Sequence, residues 1–596
     1  MNRKLFGIVC LAGFVGVFVY ASATNAPLPA ETGRWEQSVL PDGIKISLVS
    51  NKTNFFLGEN ILLFYRIENT GSKPFNISVG GDYRGSSRAG RFKVTAISAT
   101  GNQVADPTPV TMNFGGMMPN SEIKPGDVWF ENVYVLKYCY FEEPGTYTIR
   151  VFHDLGFGKK YDAEPREVSM KIELRAPTEE QARAILVTAE NAKPYYGNTW
   201  GQKGEARLDY YDIRYPAFLP ALIERARNGN QDALAGIASI RTLDATRALV
   251  NLLGYTNTAF ALQAATHLEV RLPHSTNEFQ GPWGEINKQS FVGNAWDEKL
   301  GLPVRDFSLQ LLKSTNRSDL LVASALLKRI GTQREAPSLL KALEFAVIQT
   351  NAEFLADIRY PPPIRVCDSL LGTAMTINSN LNVSAGNIQT PGQALLFIAK
   401  HGGSGRVLTK KDEATFAKFL NHPLAYVRMK ALESLPNEIT ASLTEIVTKC
   451  MTDPNVAVQN YAFAAAKRMQ EPQHVEIALA VLKSSGDQWL RWAAQDIAMK
   501  YGARYECAMA WASRLRASGG AVDGAAGDAM DRLFRILIGP NARNLSVSLD
   551  VPKNTPDAEK LWNRWEEFLT ANKDKIEAGY EFQPNELPAA NLGLRF

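Results

Sequence analysis

The feature that most constrains the fold of this chain is a repeat of 31 or 32 residues in its C-terminal half. Apolar residues recur in one register at Leu395, Val427, Val458 and Leu490. Around each of them the apolar positions follow a period near 3.6, which is typical of short amphipathic helices. A single helix pair cannot bury its apolar face alone, so successive repeats must stack. The register therefore predicts a long stack of helices.

The residues that flank this register repeat as well. The matching sets are Pro423, Val427, Arg428 and Ala431; Pro454, Val458, Gln459 and Ala462; and Gly486, Leu490, Arg491 and Ala494. Upstream, IRTLDATRALVNLL at 240–253 and IGTQREAPSLLKAL at 330–343 each have the pattern of an inter-helix turn followed by a second helix. These stretches resemble HEAT repeats of the short bacterial kind. The resemblance implies a HEAT-type α-solenoid over 216–515, interrupted by insertions at 271–303 and 351–392.

The preceding region, 40–176, follows a period of two instead. Tyr147, Ile149 and Val151 alternate with polar neighbours, a pattern that predicts a strand with one buried face. Similar runs lie at 44–49, 61–67, 75–79, 91–96, 129–136 and 168–173. Turn residues such as Gly80-Gly81-Asp82 separate the runs. The region is therefore predicted to form an antiparallel β-sandwich of seven or eight short strands.

Two motifs in this region resemble those of bacterial immunoglobulin-like domains. They are Leu57-Gly58-Glu59-Asn60-Ile61 leading to Ile67-Glu68-Asn69-Thr70-Gly71, and Pro144-Gly145-Thr146-Tyr147-Thr148-Ile149-Arg150-Val151. The resemblance implies an immunoglobulin-like sandwich with Tyr147 as its tyrosine corner. Such sandwiches carry many unrelated functions, so this resemblance predicts the fold and not the activity.

The first 23 residues have the pattern of a secretory signal. Arg3 and Lys4 precede an apolar run from Leu5 to Tyr20, and Ala21-Ser22-Ala23 provides small residues for cleavage. The run is shorter than the ~20 residues of a membrane span, although a retained anchor stays open as the alternative. Residues 24–39 are predicted to be a linker. We expect an exported protein, periplasmic or extracellular, with no integral membrane domain.

Charge and cysteine content exclude some partners. The chain has 65 Lys and Arg residues against 61 Asp and Glu residues, a formal charge of +4 that falls to +2 without Arg3 and Lys4. Nucleic-acid binding requires a stronger basic excess, so nucleic acid is excluded as a partner. The cysteines that remain after the leader are Cys139, Cys367, Cys450 and Cys507. Export permits disulfides, but we favour buried free thiols because the spacing includes no paired motif.

Beyond the predicted solenoid, residues 516–580 are expected to form a C-terminal helical cap. The stretch 518–527 is rich in small residues and predicts a loop, and a helix follows near 529–538. Trp562, Trp565 and Phe568 then fall at helical spacing, resembling a tryptophan-rich helix near the C-terminus of some exported bacterial HEAT proteins. Terminal repeats need a different outer surface, so this helix is expected to cover the last apolar face. Residues 581–596 form a tail.

Aromatic residues are dense in the connecting segment 177–215 and in the first insertion. The residues that we single out as a candidate binding surface are Trp200, Tyr210, Tyr211, Tyr215, Trp283 and Trp296. Exposed rings of this kind suit a peptide or a glycan. The alternative, that the rings pack the first helices and the sandwich, stays open.

No enzyme signature is present in the sequence. It has no HExxH motif, no GxSxG motif, no phosphate-binding loop and no dinucleotide-binding fingerprint. We therefore predict no catalytic residues, no cofactor and no metal. The favoured hypothesis is a non-enzymatic extracytoplasmic scaffold, in which the concave surface of the solenoid holds another protein or a cell-envelope component. An envelope glycan-binding module is one alternative, and an unrecognised hydrolase or protease-inhibitory domain is another.

Overall fold

A computed structural model describes residues 42–77, 92–107, 121–153, 155, 167–191, 203, 209–255, 258–269, 271–273, 296–354, 364–469, 471–517, 524–539, 556–583 and 586–588. The chain divides into two compact units, 1–218 and 219–596. Antiparallel sheets lie in the first unit, and the second is helical, as the sequence predicts. The predicted leader and linker lie outside the described residues. Within those residues, no helix has the length and apolar character needed to cross a bilayer.

Nine strands are described in the first unit. Their bounds are β1 Ile44–Val49, β2 Asn54–Phe56, β3 Leu62–Asn69, β4 Phe75–Ile77, β5 Phe92–Ser98, β6 Ser121–Ile123, β7 Val128–Tyr134, β8 Gly145–His153 and β9 Glu167–Arg175. They form three sheets, ordered β1-β3-β7, β2-β9-β8-β5 and β4-β6. The prediction of a wholly antiparallel arrangement is wrong at β2, which pairs with β9 in parallel. More than a hundred residues connect these two strands, a length that allows the parallel pairing.

The two larger sheets share one hydrophobic core. Tyr65 and Ile67 of β3 and Ile149 and Val151 of β8 are buried in the same cluster. These residues occupy alternate positions along their strands, so one face of each strand enters the core. The predicted strands correspond to observed ones, whereas β2 and β6 were not predicted. Each of these two strands has three residues, too few for an alternation to be recognised.

Tyr147 makes the contact expected of a tyrosine corner. Its phenolic hydroxyl donates a hydrogen bond to the backbone carbonyl of Glu143, at 2.8 Å. The ring itself is buried against Phe141, with the ring centroids 4.8 Å apart. The hydrogen bond ties the start of β8 to the turn that precedes it.

Twenty helices are described, of which α1 belongs to the first unit. Their bounds are α1 Glu179–Asn191, α2 Leu219–Arg227, α3 Gln231–Ser239, α4 Leu243–Leu252, α5 Thr258–Glu269, α6 Gly301–Leu311, α7 Arg317–Ile330, α8 Ala336–Phe354, α9 Ile364–Ile377, α10 Pro391–His401, α11 Lys410–Leu420, α12 Ala425–Glu433, α13 Ala441–Cys450, α14 Val456–Ala466, α15 His474–Ser484, α16 Gln488–Lys500, α17 Arg504–Ala517, α18 Gly524–Ile538, α19 Pro556–Ala571 and α20 Lys573–Glu577.

Local sequence explains where several of these helices begin. The side chain of Thr390 accepts a hydrogen bond from the backbone N–H of Gln393, and the Gln393 side chain caps Thr390 in return. Pro391 occupies the first turn, where its missing N–H costs no helical hydrogen bond. Asp487 caps α16 by accepting from the backbone N–H of Leu490, at 2.7 Å. These capping residues separate consecutive helices of the repeat.

The register seen in the sequence is buried in the structure. Leu395, Val427, Val458 and Leu490 are each at most 2% exposed and belong to one continuous core. They lie in α10, α12, α14 and α16, and each of these helices contacts the next one in the series. Their spacing therefore follows from equivalent packing positions in successive helices.

A repeated arginine contact strengthens this arrangement. Arg428 donates to the carbonyls of His422 and Pro423, six and five residues before it. Arg491 makes the same two contacts with Ser485 and Gly486. Each arginine also pairs with a buried aspartate that comes later in the chain, Asp453 and Asp528 respectively.

Two boundaries differ from the expectations. The stretch 351–392 contains α9, whose residues Val366, Cys367 and Leu370 join the core, so much of this predicted insertion is a packed helix. The predicted loop 518–527 overlaps α18, which begins at Gly524. Ala525 and Ala526 favour the helix in this overlap. At the C-terminal end, Trp565 of α19 is buried against Phe534 and joins the same core.

All four described cysteines are buried free thiols. They are Cys139 in the first unit and Cys367, Cys450 and Cys507 in the second. Burial raises the pKa of Cys367 and Cys450 to about 11 and that of Cys507 to about 12. These thiols are protonated at neutral pH, so they are poor nucleophiles.

Candidate functional site

The structure places the predicted aromatic residues in different surroundings. Trp200 and Trp283 lie outside the described residues. Tyr210, Tyr211 and Tyr215 share one segment of the first unit, and Trp296 is half-buried in the second unit. The described members of this set that share a local environment are therefore the three tyrosines.

Residues 209–218, here called the tyrosine segment, are attached to the rest of the first unit by ion pairs. Lys137 follows β7, and its ammonium lies 2.6 Å from Asp209 and 2.8 Å from Asp212 of the segment. Burial opposes the charge of Lys137, but the two carboxylates together raise its pKa. Burial also raises the pKa of Asp212, an effect that Lys137 and Arg214 oppose. This network attaches the segment firmly.

Arg214 extends the same attachment. Its guanidinium donates to the carbonyl of Leu136 and to Asp212, both at 3.0 Å, and lies over the ring of Tyr140. Arg214 has a φ of 51°, a left-handed conformation that is unfavourable for a residue with a side chain. The neighbouring Ile213 is buried and lines a small pocket with residues of the sheets. The hydrogen bonds hold the segment in this strained conformation.

These contacts limit what the tyrosines can bind. Tyr215 packs against the core of the first unit, as the packing alternative expects. Tyr210 is half-buried, and Tyr211 is 56% exposed. Tyr211 is thus the one exposed ring of the segment, and the cations beside it already have carboxylate partners. The tyrosine segment is therefore better explained as structural than as the predicted binding surface.

Glu131 is a second unusual group in the first unit. It lies on β7 between Trp129 and Val133, on the strand face that meets the core. Burial raises its pKa to about 7, although the Trp129 indole donates to it at 2.6 Å and acts in the opposite direction. Glu131 can thus hold or release a proton near neutral pH. A shifted carboxyl pKa is by itself weak support for catalysis, because the pKa values of purely structural groups are shifted as well.

The helical unit contains an aromatic cluster that the sequence analysis did not single out. Trp489 and Trp492 lie in α16, with their rings edge to face and 4.8 Å between centroids. The Trp492 indole donates to the carboxylate of Asp528 in α18, at 2.6 Å. The guanidinium of Arg532, also in α18, lies 3.7 Å above the Trp492 ring. We call these four residues the tryptophan platform.

In the tryptophan platform, Trp492 is held by polar contacts and Trp489 is exposed to solvent. Asp528 is buried and also accepts from Arg491, at 2.9 Å, so its carboxylate is neutralised and held in place. Trp492 is thereby fixed from one side by Asp528 and from the other by Arg532. Trp489, in contrast, is 65% exposed. A large ring held rigidly at the surface loses little entropy when a ligand covers it.

A charged cluster lies on neighbouring helices of the same series. Lys430 of α12 lies 3.1 Å from Asp368 and 2.7 Å from Glu433. Burial opposes the charge of Lys430, but the two carboxylates together raise its pKa. Tyr461 of α14 has a raised pKa, chiefly because it is partly buried and also because Glu433 is close. The helices α12, α14 and α16 thus carry polar and aromatic groups suited to binding.

Among the residues that the structure describes, no set of three or more His, Cys, Asp or Glu side chains could hold a metal ion. His474 is paired through Nε2 with Thr448, at 2.8 Å, and burial lowers the pKa of its imidazole. His474 is completely buried, whereas Thr448 is half-buried.

A signal for the platform was present in the sequence. In the repeat register, Trp489 and Trp492 take the positions of Ala457 and Asn460 one repeat earlier. Two tryptophans in place of a small and a polar residue indicate that this repeat has an aromatic surface that the preceding repeat lacks. Asp528 and Arg532 could not be assigned in the same way, because they lie in α18, beyond the regular register.

Comparisons with known proteins assign no family. No family model matches the chain, and no curated protein matches it. Among solved structures, it is similar to a polysaccharide lyase at 11% sequence identity and a TM-score of 0.13. That match covers 74% of this chain and 57% of the lyase, so the chain spans little more than half the length of that protein. A likeness at this TM-score carries no argument about fold or activity.

Proposed function

We propose that the protein is a non-enzymatic, extracytoplasmic scaffold, built from an immunoglobulin-like sandwich and a HEAT-type solenoid. The shared core of two sheets and the Tyr147 hydrogen bond support the first part. The buried register in α10, α12, α14 and α16 and the repeated contacts of Arg428 and Arg491 support the second. The leader pattern in residues 1–23 supports export.

The observation that carries the proposal is the exposed ring of Trp489 on a rigid base. Tryptophan dominates binding energy where its ring is covered by a partner. The surface formed by α12, α14, α16 and α18 is the proposed concave face, and it holds another protein or a component of the cell envelope. Solenoids present such faces because their repeats rotate slightly with respect to one another.

A photo-crosslinking amino acid at position 488 tests this function, because Gln488 is exposed beside Trp489 and its replacement leaves the Trp489 ring in place. In cells that produce the full chain, we expect a discrete adduct in the envelope fraction after irradiation. The same amino acid at Val407, a highly exposed position on the connection between α10 and α11, is the control. An adduct at 488 that is absent at 407 supports the proposal. No adduct at 488, or the same pattern at both positions, contradicts it.

A further inference from the structure

We propose that the tryptophan platform binds a carboxylated glycan, with the sugar ring on Trp489 and its carboxylate on Arg532. This inference rests on the proposed function and names the class of envelope component that the scaffold holds. Two properties of the platform lead to it, a single exposed aromatic ring in polar surroundings and a cation that lacks a carboxylate partner among the described residues.

The first property is the isolation of Trp489. Among the described side chains of α14, α16 and α18, it is the one large apolar group that is exposed. Its surroundings are polar, with Gln488 and Asp496 exposed on the same helix. A protein interface needs an apolar centre made by several side chains. A pyranose ring needs one flat aromatic surface for its C–H face and polar groups for its hydroxyls, which is what this surface provides.

The second property is that the guanidinium of Arg532 forms no ion pair with the residues that the structure describes, although Asp528, Asp531 and Asp496 are close enough to favour its charge. Each nearby aspartate has its own cation: Asp528 pairs with Arg491 at 2.9 Å, Asp531 with Arg535 at 2.7 Å, and Asp496 with Lys467 at 2.8 Å. Within the described part of the chain, Arg532 forms no such pair, and its Nε atom is buried without a hydrogen-bond partner.

The orientation of Arg532 completes the argument. Its guanidinium is stacked on Trp492, so the position of its planar donors is fixed before a ligand arrives. Guanidinium groups bind carboxylates through two parallel hydrogen bonds, and a stacked guanidinium is already arranged for this contact. Trp489 and the Arg532 guanidinium both contact the Trp492 ring, so we take the stacking ring and the cation as parts of one site. A neutral sugar would use Trp489 and leave Arg532 without a partner.

Calorimetric titration of the full-length protein tests the inference. The probes are a hexamer of galacturonic acid, a neutral hexamer of glucose and a hexamer of glutamic acid. We expect binding of the uronate hexamer in preference to the other two. Trp489→Ala and Arg532→Gln are each expected to weaken it about tenfold. Arg532→Lys keeps the charge without the planar fork, so its loss should be smaller.

Matched control variants are Val407→Ala, an exposed apolar side chain elsewhere on the unit, and Arg334→Gln, an exposed arginine on a turn. Both should bind the uronate hexamer as the unchanged protein does. Circular dichroism of all variants verifies that the fold is retained.

Three results would overturn the inference: equal binding of the uronate and neutral hexamers, preferred binding of the glutamate hexamer, or no binding of any probe. If no probe binds but the crosslinked adduct at position 488 is still formed, the scaffold proposal stands and the glycan assignment falls. If neither binding nor the adduct is seen, both fall.

Discussion

Arg491 and Asp528 form an ion pair of 2.9 Å in which both side chains are almost completely buried. The pair joins α16 to α18 across 37 residues of sequence. The same carboxylate accepts from the Trp492 indole, so one aspartate fixes both the end of the regular repeat and the base of the tryptophan platform.

Asp528→Asn should therefore destabilise the helical unit. Removing the charge leaves Arg491 buried without its counterion, which costs about 3 kcal/mol in the free energy of unfolding. Urea-induced unfolding of the full chain, followed by circular dichroism, measures this loss. Asp496→Asn is the control, because it breaks an exposed pair with Lys467 and should cost less than about 1 kcal/mol. Equal effects of the two substitutions would contradict the role assigned to Asp528.

Glu131 should make the stability of the first unit depend on pH. Its pKa is about 7 in the folded chain, above the ordinary value of 4.5, so folding favours its protonated form. Below about pH 4.5 the carboxyl group is protonated in both the folded and the unfolded chain, so its burial imposes no penalty on the free energy of unfolding. The penalty grows as the pH rises towards 7 and reaches about 3 kcal/mol when the group is ionised in both states.

Glu131→Gln removes this titration with little change of shape. We expect the variant to be more stable than the unchanged protein at pH 8 and equally stable near pH 4.5, as measured by denaturant unfolding at both pH values. Glu122→Gln on β6 is the control, because Glu122 is exposed. If the two proteins differ in free energy of unfolding by the same amount at both pH values, burial does not raise the pKa of Glu131.

The three cysteines of the helical unit should resist alkylation in the folded protein. Cys367, Cys450 and Cys507 are buried, and their raised pKa values leave few thiolates at pH 8. Mass spectrometry after iodoacetamide treatment should find them unmodified in buffer and fully modified in 6 M guanidinium chloride. Rapid labelling of any of them in buffer would indicate that its helix opens readily.

The sequence predicted those features that depend on neighbouring residues or on a fixed period. The burial of Leu490 followed from its place in the register, and the Tyr147 hydrogen bond followed from the local motif that contains it. The platform depends instead on Asp528, which lies 36 residues after Trp492 and outside the register. Only the packing of α18 against α16 brings them together, so no local pattern could have predicted their contact.

The attachment of the tyrosine segment could not be predicted for a similar reason. Composition indicated that Tyr210, Tyr211 and Tyr215 are close together, but not that Lys137, some seventy residues earlier, would fix their segment to the sheets. Long-range ion pairs leave no periodic signal in a sequence. The density of aromatic residues therefore identified a tightly packed segment and missed the more exposed Trp489.

Gly58 tests how the tyrosine segment is held. It has a φ of 80°, and a Cβ atom there would lie 2.6 Å from the ring of Phe218 and 2.8 Å from the carbonyl oxygen of Ile213. Gly126 has a similar φ of 85°, but its Cβ would meet nothing within 4 Å. Both alanine variants carry the cost of a left-handed backbone, about 1 kcal/mol. The difference between them isolates the collision with the segment.

We expect Gly58→Ala to lower the free energy of unfolding by at least about 1 kcal/mol more than Gly126→Ala, because neither Phe218 nor the Ile213 backbone can move without losing buried contacts. Limited proteolysis should then cut the chain near Arg214 faster in the Gly58→Ala variant, since displacing Ile213 weakens the adjoining hydrogen bonds of Arg214. If the two variants unfold and are cleaved alike, the segment is not held by its contact with Gly58, and the charges of Lys137, Asp209 and Asp212 would have to hold it alone.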